Sequence, residues 1–147
     1  MFLRFLSLIR LIIPRYFATF VRKNKDSVAE HYTLGQWGEE VAADYLRRKG
    51  YTIVERNWKS GHRDLDIIAW NEDCQSLVFV EVKTRRNRMF NDPEEAVNYR
   101  KMYHLRQAAN HYIKYRRLDC DLRFDVITVV GTPETEPEIE HIEDFQW

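Results

Sequence analysis

A chain of 147 residues, 44% apolar and 31% charged, has the length and composition of one globular domain with a single core. Five glycines and four prolines exclude collagen-like and low-complexity architectures. The 23 basic and 23 acidic residues cancel, so bulk charge makes no case for nucleic-acid binding.

The distribution of charge is more informative. Residues 1–25 carry six bases and no acid, and residues 26–82 are net −5. Residues 83–117 carry ten bases and three acids, and residues 118–147 carry one base and nine acids. Such asymmetry marks either a polyanion-binding surface or a mixed, solvated face. Cys74 and Cys120 belong to no ligand or redox pattern, which points away from a zinc site or disulfide scaffold and suits a cytoplasmic location.

In chain order, residues 1–32 form a basic and apolar extension with a polar linker. Arg4, Arg10, Pro14 and Arg15 interrupt its apolar run, so it suits neither a signal peptide nor a membrane span. An amphipathic helix resting on a membrane or on another protein is the alternative to a plain extension. The folded domain is expected over 33–147. A helix is predicted from Thr33 to Lys49. Thr33 and Gln36 form a capping box, Leu34, Trp37, Val41, Ala42, Tyr45 and Leu46 make one apolar face, and Gly50 ends it. Strands are predicted at 51–58, 64–70 and 77–84, the last two joined by a hairpin loop at 71–75. Asp92 and Pro93 open a second helix running to about Arg117, with a break near Asn98. A strand at 123–130 and a short edge strand at 139–142 complete an α/β domain with a mixed central sheet flanked by helices.

The third strand carries the chemistry. Leu77, Phe79, Glu81 and Lys83 share one face, and Val78, Val80 and Val82 share the other. On the second strand, Asp64, Asp66 and Ile68 share a face. Carboxylates converging on a covered sheet cost several kcal/mol unless offset. Two readings account for them. One is a structural ion pair, Glu81–Lys83 or Asp66–Lys83. The other is a divalent cation, which takes one or two carboxylates plus waters and activates a bound water.

Asp66, followed at a distance by Glu81-Val82-Lys83, resembles the D…(D/E)xK signature of the PD-(D/E)xK nuclease superfamily. The wider set resembles the uncharacterised YraN-like family, grouped with Holliday-junction-resolvase-like nucleases. That set is Gly35, Gly38, Glu39, Ala42, Tyr45-Leu46, Gly50-Tyr51, Asn57-Trp58, Asp66–Ala69, Val78–Arg85, Glu95–Val97, Lys101 and Arg123–Val126. It spans about residues 33–145. The resemblance implies a restriction-endonuclease-like fold and a metal-dependent endonuclease acting on structured or branched DNA. It implies Asp66, Glu81 and Glu39 as ligands of Mg²⁺ or Mn²⁺, the Val82 carbonyl as a further donor, and Lys83 as the catalytic lysine. Leu65 stands where the superfamily has proline, and Arg63-Asp64 stands where the family has Gly-Glu.

The basic block suggests a phosphate-binding surface. Arg85, Arg86 and Arg88 leave the third strand, and Arg100, Lys101 and Arg106 follow on the helix. Arg85, Arg86 and Lys101 are the candidate nucleic-acid contacts. Tyr99, Tyr103 and His104 either stack on unpaired bases or belong to the helix boundary. Asp125 reads as structural, and the five histidines show no ligand spacing. No motif indicates a nucleotide cofactor. Three functions fit: the endonuclease, a non-catalytic nucleic-acid-binding module of the same fold, or a membrane-proximal interaction protein. A homodimer is compatible with each.

Overall fold

The computed structural model describes residues 33–88 and 99–145. The extension at 1–32 and the expected start of the second helix, 92–98, lie outside the described residues. The first helix, α1 (Leu34–Arg48), begins at the capping box read from the sequence. Gln36 N–H donates to Thr33 Oγ1 at 3.2 Å, and Thr33 N–H donates to Gln36 Oε1 at 2.9 Å. The helix ends in a Schellman arrangement: Gly50 N–H donates to the Arg47 carbonyl and Tyr51 N–H to the Leu46 carbonyl, both at 3.0 Å. Gly50 adopts φ +86, which a side chain would resist.

Five strands form one open sheet in the order β1 (Thr52–Ser60), β2 (Arg63–Asn71), β3 (Ser76–Arg85), β4 (Asp121–Val130) and β5 (Glu138–Ile142). β3 and β4 are parallel and the other pairs antiparallel, so the sheet is mixed. A parallel pair needs a long crossover, and α2 (Tyr99–Arg116) lies between β3 and β4 in the chain. The β1–β2 turn has two residues, Gly61 and His62, because Ser60 pairs with Arg63. Gly61 supplies the positive φ, +64, that such tight hairpins require.

Strand alternation sorts the core into two layers. Ala42, Ala43 and Leu46 of α1 pack with Ile67, Ala69, Val78, Val80, Ile127 and Val129. On the opposite parity Phe79 meets Tyr112 of α2 edge-on at 6.0 Å, and Trp58 meets Tyr112 at 5.2 Å. Met102, Leu105, Ala108, Ala109 and Tyr112 form the buried stripe of α2. β3 is covered on both sides, as its near-continuous apolar start requires. The architecture is therefore α/β, a mixed five-stranded sheet flanked by two helices. Among the described residues, no helix is long and apolar enough to cross a membrane.

Candidate active site

The central strands do not stay together. β2 and β3 pair from Asn71↔Ser76 to Ile67↔Val80. Beyond that point β2 continues with β1, through Leu65↔Trp58 and Asp64↔Lys59. β3 continues with β4, from Glu81↔Val126 to Arg85↔Val130. The sheet thus forks at Asp66 and Glu81. In the fork Val82 N–H donates to Asp66 Oδ2 at 2.8 Å, so a side chain takes the place of the missing ladder acceptor. Asn57, opposite Asp66 in the β1 register, has φ 52, a left-handed conformation that Asn tolerates better than most residues.

Asp66 has the parity of Ile68 and Trp70, and Glu81 has that of Phe79, which packs on α2. Both carboxylates therefore emerge on the α2 face. Burial, the Glu81 carboxylate and the Glu39 carboxylate push Asp66 up to about 7, against the Val82 N–H and the Lys101 ammonium. Glu39, half-buried on α1, is thus electrostatically part of the same cluster. The residue before it, Gly38, is pressed against Thr84 of β3. A Cβ there would fall inside contact distance of the Thr84 side chain.

Glu81 is buried, with 6% of its side chain exposed, and Lys101 Nζ on α2 forms an ion pair with its Oε1. Burial lowers the Lys101 pKa, but the Glu81 hydrogen bond and charge outweigh it and the net shift is upward. Lys101 is therefore a firmly charged ammonium. Lys83, half-buried, follows Glu81 on the same β3 face. Among the described residues Glu81 forms its ion pair with Lys101, a helix residue expected on the phosphate-binding surface.

The donor set suits a hard divalent cation. Asp66 and Glu81 offer oxygen ligands only, and Asp66 is raised by burial and by the charge of Glu81 beside it. Mg²⁺ and Mn²⁺ favour carboxylate oxygens, and Mg²⁺ needs only one or two of them beside its waters. Among the described residues no group of three or more His, Cys, Asp and Glu side chains is arranged to hold a metal. Glu39 adds its field to that of the two carboxylates.

A cavity of about 470 Å³ opens beside Glu81. Its walls are the β1–β2 turn at 60–63 and the α2 residues Lys101, His104 and Leu105, with Asp64 and Glu81 also lining it. The turn falls between the predicted strands at 51–58 and 64–70 and carries no motif of its own. The signal was Gly61 in a polar break just ahead of Asp64, legible as a tight hairpin tip beside the acids.

The remaining candidates are spread out. Arg85 is half-buried at the end of β3, where its carbonyl accepts the Gly131 N–H at 2.8 Å. Arg86 is exposed and lies within the field of Glu134. Arg88 pairs with Glu138 at 2.7 Å, both well exposed. The basic run after β3 therefore faces part of the acidic C-terminal segment. Asp125 belongs to a separate buried cluster with Arg123 and His141.

The profile of the uncharacterised protein family UPF0102 matches residues 38–129, a span that contains the fork and both of its carboxylates. A UPF0102 protein of Bacteroides thetaiotaomicron is 46% identical over 117 residues, covering 80% of this chain and 94% of the relative. One from Syntrophomonas wolfei is 46% identical over 110 residues, covering 74% and 93%. One from Flavobacterium psychrophilum is 42% identical over 117 residues, covering 80% and 96%.

Proposed function

The chain belongs to the uncharacterised protein family UPF0102, the YraN family, and within it we propose a nucleic-acid-binding protein that hydrolyses phosphodiester bonds in structured or branched DNA with Mg²⁺ or Mn²⁺. The observation that carries this reading is the fork, where Asp66 and Glu81 leave two parted strands on one face and Asp66 is pushed up to about 7. A buried carboxylate under that load is offset best by a cation. Asp66 and Glu81 would hold the metal. When bound, such a cation supplies a water of lowered pKa and a counter-charge for the phosphate.

The protein's own groups do the rest. Lys83 holds the attacking water by hydrogen bonding from its place beside Glu81. Val82 N–H fixes the Asp66 carboxylate. Arg85 and Arg86 approach the phosphates flanking the cut.

The test is cleavage of linear, single-stranded, flapped and four-way-junction DNA with Mg²⁺ or Mn²⁺. Asp66→Asn should abolish cleavage and preserve or tighten DNA binding, since it deletes a negative charge. Lys83→Ala should abolish cleavage and weaken binding, since it deletes a positive one. Folded wild type that binds but cleaves nothing overturns the catalytic reading. The second reading, a non-catalytic binding module, is favoured by one observation: Glu81 already has a counter-ion in Lys101. A cytoplasmic location is part of the proposal.

A further inference from the structure

The cavity beside Glu81 has a composition that selects its occupant. At about 470 Å³ it lies in the lower half of the range for small-molecule sites, roughly 300–1,000 Å³. It has room for one nucleotide, and its lining mixes signs. Lys101 and Arg63 are cationic, Asp64 and Glu81 are anionic, and His62 and His104 offer flat rings from the two walls. A bare phosphate would meet two carboxylates inside. A purely apolar ligand would take the water from Arg63, Asp64 and the two imidazoles and offer them nothing in return. A nucleobase suits the set, because its edge presents donors to carboxylates and acceptors to cations while its faces stack on imidazole. Outside the cavity, Tyr103 is 59% exposed and meets His104 edge-on at 5.9 Å. This gives a second aromatic surface on the same helix.

Resting on the nuclease reading, we propose that this cavity receives one unpaired nucleobase next to the phosphate at the Asp66–Glu81 fork, so that the substrate class is nucleic acid with an unpaired or extruded nucleotide. Glu81 lines the cavity and stands in the fork, which places the base and the phosphate on adjoining ground. A paired base presents neither its hydrogen-bonding edge nor its faces, so it must leave the stack to enter. Arg63 and Asp64 read the edge from the turn side, and His104 stacks from α2.

The experiment measures binding without cleavage. The full chain, kept in chelator, is titrated by fluorescence anisotropy into two DNA duplexes that differ only in one central bulged nucleotide. A parallel series carries 2-aminopurine at the bulge. The bulged duplex should bind about tenfold more tightly, the scale of one base–aromatic stack. The 2-aminopurine fluorescence should change on binding, while a paired 2-aminopurine should not respond. His104→Ala should erase most of the preference and leave affinity for the paired duplex unchanged. His62→Ala carries the same expectation from the other wall, so the test does not depend on the helix variant folding. Equal affinity for the two duplexes overturns the inference, as does a preference that survives both substitutions. A bulge preference with no cleavage of any substrate removes the hydrolytic reading and keeps this one. Absence of binding to any nucleic acid removes both.

Discussion

At Asp66 burial and two neighbouring carboxylates act on one acid, and the resulting pH dependence has a definite sign. An unfolded chain holds this group near its ordinary value of 3.8, and the fold raises it to about 7. Between those values the folded protein binds more protons than the unfolded one. The stabilising contribution is therefore complete below about pH 4 and is lost as pH rises through 7. Asp66→Asn keeps an oxygen for the Val82 N–H and removes the charge. In metal-free buffer near pH 8 it should raise the melting temperature by several degrees, a gain of about 1 kcal/mol. At about pH 4 it should change little. Added Mg²⁺ should stabilise wild type and leave the variant unmoved, since a ligand stabilises only the fold that binds it. Thermal scans at the two pH values, with and without metal, check all three outcomes. The shared face of Asp66 and Glu81 was legible in the sequence, because strand side chains alternate with a period of two. The pairing of Lys101 with Glu81 was not, since no local pattern fixes the rotation of a crossover helix against a strand far behind it in the chain.

The elements were legible in kind and order, and their ends were not. β1 was expected to stop at Trp58 and runs to Ser60, because Lys59 and Ser60 complete the ladder to Asp64 and Arg63. That extension lifts the turn into the wall of the cavity. β5 shows the opposite case, a five-residue edge strand with an alternating, weakly buried pattern. Its anchor is Asp125 of β4, whose side chain is fully buried. Arg123 donates to it through Nε at 2.9 Å and Nη2 at 2.7 Å, and the Asp144 N–H donates at 3.0 Å. His141 Nε2 of β5 sits 2.8 Å from its other oxygen. Arg123 also donates to Tyr51 Oη at 2.5 Å, tying the end of α1 into the same cluster. Burial alone would raise the Asp125 pKa, but the His141 and Arg123 hydrogen bonds outweigh it and hold it below the usual range. A depressed carboxylate stabilises above its unfolded pKa, and that stability is lost as pH falls through the folded value. Asp125→Ala leaves the nearly buried Arg123 guanidinium with the half-exposed Glu143 carboxylate, 3.5 Å away, as counter-charge, and should cost about 3 kcal/mol in urea denaturation near neutral pH. A cost below about 1 kcal/mol would mean that the backbone pairing holds β5 alone.

Over the molecule as a whole, a neutral total conceals two blocks that the fold sets partly against each other. Arg88 is spent on Glu138, and Arg86 lies in the field of Glu134, so the basic segment offers nucleic acid fewer open cations than its composition implies. Composition could not show this, because it depends on the β4–β5 turn returning the acidic segment alongside the end of β3. Exposed pairs of this kind are worth little in stability and are broken easily by a competing polyanion. DNA affinity should accordingly be salt-dependent but moderate in slope, with each phosphate contact contributing about 0.9 to the slope of log K against log salt. Replacing Arg85 and Arg86 together by Ala should weaken binding and reduce that slope by one to two, at about one per lost contact. Glu134→Gln with Glu138→Gln should act in the other direction, tightening binding most at low salt, where the acids compete best with phosphate. Filter or anisotropy titrations across a range of salt concentrations read both effects. If the arginine variant leaves the slope unchanged while the glutamine variant also has no effect, the phosphate track does not run along the end of β3. It then runs over α2, where Arg100 and Arg106 are exposed on the helix that also supplies Lys101 and His104 to the cavity.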